Sequence, residues 1–123
     1  MIGGLVALKV DPNIMAKLAG QRMSMIVTGT NGKSTTTRMA ANALRTAYTV
    51  ATNDGGDNMD AGIVSALNQD LDADAICLEV DEMHVPHVMD ALSPTVLVLL
   101  NLSRDQLDLS LIHISEPTRR YAI

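Results

Sequence analysis

Residues 27–37 read V-T-G-T-N-G-K-S-T-T-T, and this stretch constrains the fold more than any other part of the chain. An apolar run at 25–27 leads into a glycine-containing loop, and a helix-compatible segment follows Ser34. This order of strand, loop and helix is typical of a phosphate-binding loop, in which main-chain N–H groups and the helix N-terminus face the phosphates. The lysine of such a loop reaches the outer phosphates, and the hydroxyl of the next residue can ligate Mg²⁺.

The spacing of this loop is shorter than the general phosphate-loop pattern, which has a further glycine at the position of Val27. The pattern that stands is Gly29-x-x-Gly32-Lys33-Ser34. A pattern this short also occurs in ordinary glycine-containing turns. The preceding apolar strand and the threonines that open the helix favour a nucleotide triphosphate site.

Composition and charge limit the class of protein. The chain has 123 residues, 47% of them hydrophobic, with eight Met, no Phe and no Trp, so we expect an aliphatic core. A net charge of −5 argues against a nucleic-acid partner, which would need a basic face. No apolar run is long enough to span a membrane, and without a basic start and a small-residue cleavage site we expect no signal peptide. The single cysteine, Cys77, is expected to be a buried thiol of a cytoplasmic protein.

Alternating strand and helix patterns predict an α/β fold, with a mostly parallel sheet flanked by helices as in P-loop NTPases. The strands are expected at 25–28, 48–51, 75–80 and 96–100. The first helix is expected at 12–19, with Asp11 as its N-cap, Pro12 as its first residue and Gly20 directly after its end. Further helices are expected at 34–47, 63–68 and 86–92. The last strand is continuously apolar, which is typical of a parallel strand covered on both faces. Residues 52–62 are polar and rich in glycine, and we expect a loop that approaches a ligand.

Acidic side chains follow the third expected strand, at Glu79, Asp81 and Glu82. In open α/β sheets this edge is where ligands bind, and a carboxylate there can complete the coordination of a Mg²⁺ held by phosphate and Ser34. We favour that role for Glu79. A solvated strand end is the alternative, and it is the favoured interpretation for Asp81 and Glu82.

For two further groups of polar residues the sequence gives only weak support for a function. His84 and His87 could share a helix face, but without a third ligand we favour surface or capping histidines over a metal site. The segment R-D-Q-L-D at 104–108 follows the last strand at the ligand-facing edge, where solvated charges are the alternative to a functional role.

Four motifs together resemble the Mur ligase family of ATP-dependent, amide-bond-forming ligases. They are G-T-N-G-K-S-T-T at 29–36, T-N-D-G-G-D-N-M at 52–59, L-E-V-D-E at 78–82 and L-N-L-S-R-D-Q-L-D at 100–108. The likeness points to the subgroup that amidates the D-glutamate of lipid II in peptidoglycan synthesis. The most discriminating residue is Gln106, which replaces the histidine that most Mur ligases carry in an Asp-His-x-Asp motif.

The resemblance implies a role for several residues. Lys33 would be catalytic, and Ser34 and Glu79 would hold Mg²⁺. The ATP phosphates would be bound by the side chain of Lys33, by the main chain of the loop and, with a less certain alignment, by an asparagine of the second motif: Gly29, Thr30, Asn31, Gly32, Lys33, Ser34, Thr35 and Asn58. In this subgroup ATP phosphorylates a carboxylate, and ammonia from a separate glutaminase subunit attacks the acyl phosphate.

The resemblance also implies that the chain is a fragment of a cytoplasmic bacterial enzyme. Residues 1–108 correspond to the N-terminal part of the central ATP-binding domain. The residues that grip adenine, the C-terminal domain and a zinc-ribbon insertion would lie in the missing part, so the fragment is expected to be inactive as a ligase. Two alternatives remain: another Mur-type or folylpolyglutamate-type ligase, or a stand-alone P-loop ATP-binding protein.

Residues 109–119 read L-S-L-I-H-I-S-E-P-T-R and depart from the family pattern directly after Asp108. The run resembles the translation of a transposase adapter used in short-read sequencing libraries. We therefore expect residues 109–123 to be a non-native tail, in which His113 and Glu116 are not site residues. A divergent natural C-terminus is the alternative, and a stop codon after Ile123 in an assembly from long reads would establish it.

Overall fold

The computed structural model describes residues 2–54, 57–102 and 121–122. The sheet is built from β1 (Met23–Thr28), β2 (Val50–Thr52), β3 (Ala75–Glu79), β4 (Val96–Leu99) and β5 (Tyr121–Ala122). The helices are α1 (Ile2–Val10), α2 (Ile14–Ala19), α3 (Lys33–Leu44), α4 (Asp60–Gln69) and α5 (Val85–Leu92), with a 3₁₀ turn at Glu82–His84. The prediction of an α/β fold with a parallel sheet flanked by helices is confirmed. The segment 104–108 and most of the expected tail at 109–123 lie outside the described residues.

The strands are all parallel and lie in the order β2-β3-β1-β4-β5. Because the strands are parallel, their carboxyl ends share one edge of the sheet. Val27 pairs with Glu79 of β3 on one side and with Val98 of β4 on the other. After β1 the chain crosses to β2 on one side of β1, whereas the later strand β4 lies on the other side of β1. The loop after β1 therefore lies at the switch point of the strand order, where ligands bind in such sheets.

The core lies mainly on one face of the sheet. The strand residues Ile26, Ile76 and Leu78 pack there against α2, α4 and α5, and this cluster has no aromatic side chain. The opposite face carries a smaller cluster of Ala41, Val50 and Cys77, covered by α3. The expected aliphatic core is therefore present in the described part of the chain.

The prediction that the last strand is covered on both faces is wrong for the described residues. Of β4, only Leu97 is buried, whereas Val96, Val98 and Leu99 are half-buried. The helix on the side of Val96 and Val98 is α3, which packs on β1, β2 and β3. The continuous run of apolar residues thus correctly predicts that β4 is a parallel strand. It does not show which faces of the strand this part of the chain covers.

Helix α1 is absent from the predicted elements, and its glycines explain why. Glycine is unfavourable in a helix interior by about 1 kcal/mol relative to alanine, and α1 contains Gly3 and Gly4. Helix α1 packs on α4, and a Cβ atom on Gly4 would clash with the main-chain oxygen of Ala61. Gly4 thus allows a close approach of the two helices, and tertiary packing outweighs the poor helix propensity.

The start of α2 differs from the prediction, in which Asp11 caps the helix and Pro12 is its first residue. The N-cap is Asn13, whose main-chain N–H donates to Oδ1 of Asp11 over 2.9 Å. The predicted end at Gly20 is confirmed, with a φ of 59°. No helix in the described ranges is both long and apolar enough to cross a membrane.

Candidate functional site

The glycine loop between β1 and α3 has the conformation that its sequence demands. Gly29 and Gly32 have φ values of 145° and 88°, which side chains rarely tolerate. Gly32 is the N-cap residue of α3, so the main-chain N–H groups of Lys33 and Ser34 lie in the first turn, where no intrahelical carbonyl can accept from them. This end of a helix carries partial positive charge and favours a bound anion.

Asn101, which follows β4, holds the middle of the loop. The N–H of Thr30 donates to the main-chain oxygen of Asn101 over 2.7 Å, and the N–H of Asn31 donates to its Oδ1 over 2.8 Å. Nδ2 of Asn101 donates in turn to the main-chain oxygen of Asn31 over 2.9 Å. Thr30 and Asn31 therefore direct these N–H groups to Asn101. The N–H groups at Gly32 to Thr35 lie at the start of α3, where an anion could bind. Sequence reasoning assigned no role to Asn101, although it lies within the fourth motif.

Lys33 points back across the loop and pairs with Glu82. Its Nζ donates to Oε1 of Glu82 over 2.7 Å and to the main-chain oxygen of Gly29 over 2.6 Å, with a longer contact of 3.5 Å to that of Thr30. The side chains of Lys33 and Glu82 are only 12% and 6% exposed. Removing one partner of a buried ion pair costs about 3–5 kcal/mol, because the other charge is left uncompensated. The interpretation of Glu82 as a solvated strand end is therefore wrong.

Ser34 and Glu79 meet at the end of β3. Oγ of Ser34 donates to Oε2 of Glu79 over 2.9 Å, and Nδ2 of Asn58 lies 3.4 Å from Oε1 of the same carboxylate. A hydroxyl and a carboxylate are oxygen ligands of the kind that Mg²⁺ prefers. In the described ranges no three His, Cys, Asp or Glu side chains are arranged to hold a metal ion. Ser34 and Glu79 could supply two oxygen ligands to a Mg²⁺, whose other ligands would have to come from phosphate and water.

Asn53, which follows β2, positions Glu79, and sequence reasoning missed it. Oδ1 of Asn53 accepts from the main-chain N–H of Glu79 over 2.8 Å, and Nδ2 donates to the main-chain oxygens of Glu79 and Asp57 over 2.8 and 2.9 Å. Asn53 is only 5% exposed. An asparagine directly after a short strand was the available signal, but the polar tract around it suggested only a loop.

Asp81 and the two histidines make contacts that brace the segment after β3. Asp81 caps the 3₁₀ turn by accepting from the N–H of Met83, and its own N–H donates to the main-chain oxygen of Asn58. Nδ1 of His84 and Nε2 of His87 lie 3.0 and 3.1 Å from the two carboxylate oxygens of Asp60. The histidines thus connect the 3₁₀ turn and α5 to the first turn of α4, next to Asn58.

The structure brings together four of the side chains singled out in the sequence, at the carboxyl edge of β1 and β3. They are Lys33, Ser34, Asn58 and Glu79. The structure adds Asn53 and Asn101 to them, and it adds Glu82, which the sequence favoured only as a solvated strand end. The arrangement presents a helix N-terminus and an ammonium group beside a hydroxyl and a carboxylate, which together can bind a phosphate chain with a divalent cation.

Comparisons with known proteins agree with this geometry. The chain is 36% identical over 110 residues to the subunit MurT of the glutamine-hydrolysing lipid II isoglutaminyl synthase of Streptococcus pneumoniae (strain ATCC BAA-255 / R6), and 38% identical over 109 residues to that of Staphylococcus aureus (strain COL). Each match covers 85% of this chain, and the chain spans about 25% of the length of these curated relatives.

A solved structure is also similar. It is the MurF ligase of Thermotoga maritima in complex with ADP, with a TM-score of 0.64 and 28% sequence identity over 75% of this chain and 23% of that one. The sequence pattern of the Mur ligase middle domain matches residues 27–114, from the end of β1 past the segment 104–108. This match covers more than half of the chain, which therefore belongs to the Mur ligase family.

Proposed function

We propose that the chain is the ATP-binding part of a ligase that forms amide bonds in peptidoglycan precursor synthesis. The observation that carries the proposal is the contact of 2.9 Å between Ser34 and Glu79. Ser34 directly follows Lys33, whose ammonium group pairs with Glu82 over 2.7 Å. It combines a cation site with a phosphate loop at the switch point of a parallel sheet. Membership of the Mur ligase family supports a ligase rather than another use of the same loop.

In this proposal each site residue either balances the charge of the nucleotide and its cation or holds a neighbouring group in position. The N–H groups of Gly32 to Thr35 and the ammonium of Lys33 bind the oxygens of the phosphate chain, with the N-terminus of α3 behind them. Ser34 and Glu79 would hold Mg²⁺, which when bound offsets the negative charge of the β- and γ-phosphates. Asn58 donates toward Glu79 and keeps its carboxylate at the γ-phosphate end. The protein lowers the barrier to phosphoryl transfer mainly by positioning and electrostatics.

The finer assignment is the amidation of a carboxylate. We propose that the acceptor is the D-glutamate carboxylate of lipid II, which is phosphorylated by ATP and then attacked by ammonia supplied by a glutaminase subunit. The identity of 36–38% to subunits of lipid II isoglutaminyl synthase supports this assignment. The likeness to a MurF ligase with bound ADP favours a second candidate, another Mur-type ligase.

Calorimetric titration of the 123-residue chain with ATP and Mg²⁺ tests the proposal. We expect weak binding that Lys33→Ala reduces about tenfold or more, because one tenfold step corresponds to ~1.4 kcal/mol of lost interaction. Asp72→Asn is the matched control, since Asp72 is an exposed acid outside the site. Binding that is absent from the unchanged chain, or equal in the Lys33→Ala variant, would contradict the proposed function.

A further inference from the structure

We infer that Glu82 is a positioning residue for Lys33, and that the two side chains remain paired when a nucleotide binds. The inference rests on the proposed function, because it concerns how Lys33 meets the phosphates. Glu79 at the end of β3 contacts Ser34, whereas Glu82 in the following 3₁₀ turn contacts Lys33. The two carboxylates thus have separate tasks, one at the cation and one at the lysine.

The hydrogen-bonding capacity of the ammonium group limits how Lys33 can meet a phosphate. A lysine has three N–H donors, and in the structure Nζ of Lys33 lies near three protein oxygens. They are the main-chain oxygen of Gly29 at 2.6 Å, Oε1 of Glu82 at 2.7 Å and the main-chain oxygen of Thr30 at 3.5 Å. A phosphate oxygen that binds Lys33 must therefore replace one of these acceptors.

The cost of each replacement decides which acceptor is lost. Releasing Glu82 would leave a nearly buried carboxylate without its cation, since Lys33 is its ion-pair partner in the described part of the chain. Releasing the contact of 3.5 Å to Thr30 breaks a long hydrogen bond between an ammonium and a neutral carbonyl. The second replacement costs much less. The donor now directed at Thr30 is therefore the one that turns to the phosphate, while Glu82 holds the ammonium in place.

The fold holds Glu82 firmly enough for this role. Asp81 caps the 3₁₀ turn, and its N–H donates to the main-chain oxygen of Asn58 over 3.0 Å. On the other side of Glu82, His84 contacts Asp60 at the start of α4. Glu82 thus lies between two contacts to the segment that carries Asn58. A change at Glu82 is expected to act on nucleotide binding through Lys33.

The test is a double-mutant cycle on the affinity of the 123-residue chain for ATP with Mg²⁺. It compares the unchanged chain with Lys33→Ala, Glu82→Gln and the variant that carries both changes. Glu82→Gln keeps the shape of the side chain and removes its charge. We expect it to weaken binding about tenfold, which corresponds to ~1.4 kcal/mol, and to have less than about a twofold effect when Lys33 is already alanine. If Glu82 had a purely structural role, Glu82→Gln would weaken ATP binding by the same factor whether residue 33 is lysine or alanine.

The controls separate this inference from the proposed function. If Glu82→Gln fails to fold, as judged by thermal unfolding, Glu82→Asp keeps the charge but withdraws it from Lys33, and it should still weaken binding about threefold or more. Equal or tighter ATP binding by the folded Glu82 variant, in a chain whose binding depends on Lys33, would overturn the inference and leave the proposed function intact. If ATP binding did not depend on Lys33, both the inference and the proposed function would be overturned.

Discussion

At the scale of single residues, Lys33 and Ser34 are adjacent in the chain but contact two different carboxylates. Lys33 pairs with Glu82 and Ser34 donates to Glu79, and both acids are nearly buried. The charge of Lys33 is thereby balanced by Glu82, and Glu79 is available to the cation that we propose. This division explains why a short acidic segment carries two buried carboxylates at the end of one strand.

Cys77 provides a prediction about pH at the same scale. Burial raises the pKa of its thiol to about 11, because the thiolate would lose its hydration. At pH 8 the thiol is therefore protonated and enclosed, and we expect iodoacetamide to modify it at least about tenfold more slowly in the folded chain than in urea.

The raised pKa also affects stability. The unfolded state allows Cys77 to ionise near the ordinary thiol pKa of 9.0, whereas the folded state resists this ionisation. The contribution of this thiol to stability is therefore complete below pH 9 and is lost as the pH rises toward 11. Cys77→Ser or Cys77→Ala should remove this part of the pH dependence. Equal alkylation rates with and without urea would contradict the account of a buried thiol.

At the scale of elements, Arg22 connects the end of α2 to the segment between α4 and β3. Its guanidinium donates to main-chain oxygens at both ends of this junction: Leu18 at 2.7 Å, Ala19 at 3.2 Å, Asp70 at 2.9 Å and Ala73 at 3.0 Å. Several of these carbonyls end helices and have no further intrahelical donor. The side chain of Arg22 thus donates hydrogen bonds to main-chain carbonyls at the end of α2 and in the segment after α4.

Arg22→Ala should therefore lower the free energy of unfolding by roughly 2–3 kcal/mol, since hydrogen bonds from charged groups are worth about 1.5–3 kcal/mol each and water replaces part of the loss. Urea denaturation followed by circular dichroism measures this change. Arg38→Ala is the matched control, because Arg38 is exposed on α3 and its loss should change stability by less than about 0.5 kcal/mol. Equal midpoints for the two variants would show that the contacts of Arg22 contribute little.

The elements differ in how well the sequence predicts them, for physical reasons. The strands and α3 have strong patterns, and each prediction lies within a few residues of the structure. Helix α1 escapes prediction because its glycines serve packing against α4, which local propensity does not register. In the site, Lys33, Ser34 and Glu79 follow a spacing rule, whereas Asn53 and Asn101 act through hydrogen bonds between segments that are distant in sequence.

At the scale of the whole molecule, the chain is a parallel sheet with the site residues on one edge. The loop after β1, Asn53 after β2, Glu79 and Glu82 around the end of β3 and Asn101 after β4 all lie there. The chain spans about 25% of the length of its curated relatives, so the described edge is one part of the active site that we propose. Nucleotide binding is the activity that we propose for this part.

The central claim is that the phosphate loop and Glu79 form one site for a nucleotide with Mg²⁺. The most direct test is the Mg²⁺ dependence of ATP affinity, measured by calorimetry on the unchanged chain and on Glu79→Gln. We predict that Mg²⁺ tightens ATP binding by the unchanged chain about tenfold or more, and that Glu79→Gln removes most of this gain, because a neutral amide is a poor ligand for a hard cation. An equal gain from Mg²⁺ in both proteins would contradict the account.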